Sequence, residues 1–128
     1  MWESEGLGSP DVLWASTAFT GGIAGQQAAP CGALSSAAVC LGLRHRCDPS
    51  ERERAKRGRE LARRQAYRLV SAFRQRFGDI TCIGLLGLDF STPEGREQFR
   101  NSGVPQEKCY NYLRFILRQL YEMGEEEG

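Results

Sequence analysis

Five cysteines and a single histidine carry the most versatile chemistry in this sequence of 128 residues. The thiols are Cys31, Cys40, Cys47, Cys82 and Cys109, and the imidazole is His45. A thiolate attacks disulfides and electrophiles or binds soft metal ions, whereas a buried neutral thiol is only a small apolar side chain. An odd number cannot pair completely within one chain, so at least one cysteine is free, metal-bound or shared with another molecule. None of them stands in the close CxxC spacing of a thioredoxin-type site or a zinc knuckle, so any shared site must be assembled by folding.

Position singles out Cys31. It follows Pro30 at the predicted start of a helix, where unpaired amide hydrogens and the helix dipole favour a thiolate. Cys82 lies early in the apolar segment from Ile80 to Leu86, and Cys109 falls on the predicted inward face of the last helix. Close packing of three helix ends would bring Cys31, Cys82 and Cys109 together. Cys40 and Cys47 share a face only if helix continues past Leu43. His45, between Arg44 and Arg46, reads as a surface or helix-end residue, and Ser35 and Ser36 read as helix-interior hydroxyls without a histidine base.

The elements that must position these thiols are helical. Asp11 is expected to cap a short helix carrying Val12, Leu13, Trp14 and Phe19, ended by Gly21-Gly22. A crowded central helix follows Cys31, with Leu34, Ala37, Ala38 and Leu41 at spacings of three and four. From about Glu51 to Phe77, a stripe of Ala62, Ala66, Leu69, Val70, Phe73 and Phe77 predicts a long amphipathic helix, weakened in its first half by Gly58. Asp79 is expected to cap the apolar turn that holds Cys82, Thr92-Pro93 opens a short helix, and Pro105 starts the last one. Its predicted inner face is Cys109, Leu113, Ile116, Leu117 and Leu120. No stretch alternates with period two, so the expectation is an all-α, compact orthogonal or bundle-like domain over residues 1–123, with a flexible acidic tail over 124–128.

These residues together resemble the helical redox-active family known by its C-GCAxxG-C-C cysteine pattern. The likeness runs through Ala18-Phe-Thr-Gly-Gly-Ile-Ala-Gly25. It is most specific at Cys31-Gly-Ala-Leu-Ser-Ser-Ala with Leu41-Gly-Leu43, and resumes at Phe77-Gly-Asp-Ile-Thr-Cys-Ile-Gly-Leu-Leu-Gly87 and Lys108-Cys109. The resemblance implies a redox or metal-linked role and carries over Cys31, Cys82 and Cys109 as the site cysteines. The family's upstream cysteine has no counterpart between Met1 and Thr20, and Ile23 stands where a cysteine could belong. A missing opening segment would leave apolar surface at Val12, Trp14 and Phe19, which points to truncation or to a covering second chain.

Two readings follow. In the first, Cys31, Cys82 and Cys109 form a thiol-disulfide centre or a thiolate site for zinc or an iron-sulfur cluster, with a fourth ligand from Cys40, Cys47, His45 or a second subunit. In the second, the chain is a noncatalytic helical interaction domain that has lost part of its cysteine site. The partners considered are a second copy of the chain, as a homodimer, or a redox partner protein. The net charge of +1 conceals a segment from Arg44 to Arg76 with 12 basic and 4 acidic residues, read as a solvated helix face. Tyr67 is a lone aromatic there, so the pattern argues against nucleic acid. An acidic start and the lack of a long apolar run argue against a secretory signal or membrane span and for a cytoplasmic protein.

Overall fold

The apolar stripes seen in the sequence become the faces of three packed helices in the computed structural model, which describes residues 1–127. Helix α1 spans Trp2–Glu5, α2 Asp11–Ala15, α3 Gly32–Arg44 and α4 Arg52–Phe77. They are followed by α5 (Cys82–Leu86), α6 (Pro93–Asn101) and α7 (Tyr110–Glu127). A 3-10 turn at Thr17–Phe19 follows α2, and a wider π turn at Pro105–Cys109 leads into α7. Among the described residues the only sheet-like feature is an isolated antiparallel bridge between Pro30 and Thr81. The molecule is all-α, as the periodicity requires.

The core lies where α3, α4 and α7 meet. Leu34, Ala37 and Leu41 of α3 face Leu69 and Phe73 of α4 and Tyr112, Ile116, Leu120 and Met123 of α7. Cys82, Leu85 and Leu86 of α5 close one end. Phe73, Phe77, Tyr112 and Phe115 form a set of edge-on or tilted rings, with Phe77 and Tyr112 centroids 4.8 Å apart, which fastens the end of α4 to the start of α7. Arg44, in the last turn of α3, ties in α1 and α7. Its Nε donates to Glu5 at 3.2 Å and its Nη2 to the Leu120 carbonyl at 2.9 Å.

Local chemistry departs from the sequence expectation at several points. Asp11 does not cap α2: it is the first helical residue, and its amide instead donates to Ser9 Oγ. Thr81, not Asp79, caps α5 by accepting from the Gly84 amide at 3.1 Å. Asp79 Oδ1 is engaged one turn earlier by the amides of Ile80 and Thr81, which hold its carboxyl below the usual carboxylate range. Ala38 is exposed, and Leu113 is 42 % exposed because the buried face of α7 runs through Tyr112, Ile116, Leu120 and Met123. Helix α7 continues past Gly124 to Glu127, with Arg68 of α4 pairing to Glu126 at 3.1 Å.

Gly58 has a positive role in the fold. A Cβ there would fall 2.5 Å from the His45 carbonyl oxygen, so the missing side chain lets α4 pass close under the end of α3. Helix propensity alone favours Gly58→Ala by about 1 kcal/mol. Backbone crowding opposes it by about 1–3 kcal/mol. The expected outcome is a less stable protein, read as a lower urea midpoint, and a raised midpoint would show that the approach of α3 is adjustable.

Candidate functional site

Two helix starts are pinned side by side. Cys31 immediately precedes α3 in a non-helical conformation, with ψ of 130°, and Cys82 is the first residue of α5. The Cys31 amide donates to the Ile80 carbonyl at 2.7 Å, and the Cys82 amide to the Ala29 carbonyl at 3.3 Å. The Ile83 amide adds a third bond, to the Gln27 carbonyl at 3.0 Å. The glycine after Cys31 is required by packing: a Cβ at Gly32 would meet the Phe19 carbonyl oxygen at 2.5 Å.

Gln27 holds this junction. Its backbone is left-handed, with φ of 66°, and the residue is 3 % exposed. The side-chain amide donates to the Leu88 carbonyl at 2.6 Å and lies 3.9 Å from the Cys82 sulfur, while its oxygen accepts from the Phe90 amide at 2.7 Å. One buried amide thus satisfies backbone groups on both sides of the turn after α5. The residue offers no motif in the sequence. The only signal is a pair of amides, Gln26-Gln27, in a Gly- and Ala-rich stretch.

Cys31, Cys82 and Cys109 line one cavity of about 590 Å³, and Cys40 of α3 lines it too. Cys47 lies elsewhere, its thiol against the Asp48 carbonyl at 3.6 Å. All five thiols are free. Burial pushes the Cys82 thiol above its ordinary value, against a smaller opposing effect of the Gln27 amide. Burial likewise raises Cys109, and the negative charges that Cys31 and Cys82 would carry as thiolates raise it further. Cys40 is raised by burial and by Glu5. The Tyr112 hydroxyl, raised by burial and by the same three cysteines, donates to the Leu85 carbonyl at 3.1 Å.

The described residues do not fit a metal centre. Among them no three His, Cys, Asp or Glu side chains form a group that could hold a metal ion, so zinc or an iron-sulfur cluster at Cys31, Cys82 and Cys109 finds no ligand set. The three thiols line a cavity wall without forming such a group. His45 lies outside this cavity, its Nε2 2.7 Å from Oε1 of buried Gln65.

The family model described as Putative redox-active protein (C_GCAxxG_C_C) matches residues 1–123. The chain belongs to this family. No curated protein and no solved structure matches it. Membership of the C_GCAxxG_C_C family agrees with the cysteine pattern read from the sequence.

Two measurements test the site's construction. Gln27→Leu leaves the Leu88 carbonyl and the Phe90 amide without partners, and is expected to lower unfolding free energy by about 2 kcal/mol or more in urea titrations. The raised thiols give a pH dependence. Above the ordinary thiol value of 9.0 the unfolded chain loses protons that folded Cys82 and Cys109 retain, so stability falls as pH rises beyond 9. Replacing both by serine is expected to flatten that fall, as measured by unfolding midpoints between pH 8 and 11.

Proposed function

We propose that this member of the family is a noncatalytic helical interaction domain that keeps the family's packing and part of its cysteine site. The observation that carries the reading is the state of the thiols. All five are free, and no described set of side chains completes a ligand group. Leu13 and Trp14 of α2 are 54 % and 77 % exposed, which supports a partner protein or a second copy of the chain over that end. No helix among the described residues is long and apolar enough to cross a membrane. A reducing compartment such as the cytoplasm suits five free thiols.

One observation favours a second reading, thiol-disulfide chemistry through Cys31, Cys82 and Cys109: all three line the same cavity. In that reading two of the thiols give two electrons and two protons to a disulfide-bearing partner protein, which leaves as two thiols while a disulfide forms here. Intact-mass thiol counting decides between the readings. For the interaction domain, Cys82 and Cys109 resist alkylation at neutral pH while folded, glutathione disulfide produces no internal disulfide, and anaerobically purified protein holds no stoichiometric metal. Loss of two hydrogens on treatment with glutathione disulfide, abolished by Cys31→Ser, would instead establish the redox reading.

A further inference from the structure

We infer that the cavity lined by Cys31, Cys40, Cys82 and Cys109 is a binding site for an uncharged, apolar small molecule. The inference goes beyond the interaction reading: it needs the cavity alone, without a protein partner and without reactive thiols. Its wall is built by several elements rather than one exposed face. Ala33 and Ala37 of α3, Leu86 of α5, Phe99 of α6, and Leu113 and Leu117 of α7 all contribute.

Size and charge together select the occupant. The volume of about 590 Å³ lies in the range of small-molecule sites, about 300–1,000 Å³. No acidic, basic or histidine side chain lines the wall, whose polar groups are thiols, hydroxyls and the amino terminus of Met1. The charges that bear on Cys40, from Glu5, the Met1 amino group and Arg44, act in opposing senses. An ionised ligand would lose hydration there without gaining a paired side chain, whereas an apolar body with at most a hydroxyl or carbonyl loses little. The small side chains of Ala33 and Ala37 leave the room, and the thiols line it as soft apolar surface.

The test uses the full chain and the neutral fluorophore N-phenylnaphthylamine as probe. Expected is saturable one-to-one binding, displaced by decanol and not by decanoate at the same concentration. Leu113→Arg, at a partly exposed wall position, should weaken it roughly tenfold or more, while Leu13→Arg, outside the cavity, should leave it unchanged. Circular dichroism establishes that both variants fold. In the unsubstituted protein the probe should also slow maleimide modification of Cys31 and Cys40 but not Cys47. Absence of saturable binding, equal displacement by decanoate, equal effects of the two arginine variants, or failure to protect Cys31 and Cys40 would each overturn the inference. None of these results bears on a protein partner at Leu13 and Trp14, whose failure is read separately in pull-down with a Trp14→Ala variant.

Discussion

The short antiparallel pairing between the segment before α3 and the segment before α5 is the constraint on which the rest of the site depends. The Cys31 and Cys82 amides each donate across it, and the Gln27 carbonyl receives the Ile83 amide at its margin. Without those bonds α3 and α5 would be two helices with separate starts and no defined relation between Cys31 and Cys82. With them, the two cysteines enter the same cavity and α7 needs only to pack on α3 to bring Cys109 to the wall. The buried amide of Gln27 extends the pairing into the turn after α5 through Leu88 and Phe90.

Packing then divides the molecule into a dense side and an open side. Aromatic rings from α4 and α7 interlock at Phe73, Phe77, Tyr112 and Phe115, where large side chains fill the space between helices. On the other side α3 presents Ala33, Ser36 and Ala37, and the same α7 stands over them without filling the gap. The thiols of Cys31, Cys40, Cys82 and Cys109 lie on this open side, lining the cavity without forming a metal-holding group among the described residues. That arrangement separates a lined cavity from a chelating centre, even though both can be built from the same residue type.

Much of the helical fold is legible in the sequence because its signals are local. Leu34, Ala37 and Leu41, or Leu69 and Phe73, recur at helical spacing, and Thr92-Pro93 supplies a cap and a first-turn proline that act within one turn. Local signals mislead where two neighbours compete for one role. Asp79 and Thr81 can both cap, and the amides of Ile80 and Thr81 engage Asp79 first. Leu113 is apolar and near the core face by count, but the registry of α7 is fixed by Tyr112 packing on Phe73 and Phe77. Of the site, Cys31, Cys82 and Cys109 are singled out by their helix positions and by the family resemblance, and they line one cavity. Gln27 is not singled out, because its importance comes from a left-handed backbone and from partners far along the chain. Cys40 joins the wall only through the rotation of α3, which spacing alone does not settle.

The long reach of Gln27 also bears on how the chain acquires its structure. Gln27 and Cys82 are 55 positions apart, with all of α4 between them. Bringing such distant residues together costs roughly 3.5 kcal/mol of loop-closure entropy beyond a constant. That cost is met only once α3, α4 and α7 have begun to pack, so the thiol-lined wall is completed late relative to the helices that carry it. In the unfolded chain the cysteines have no such shelter, so the thiols of the wall gain it only when this distant contact closes.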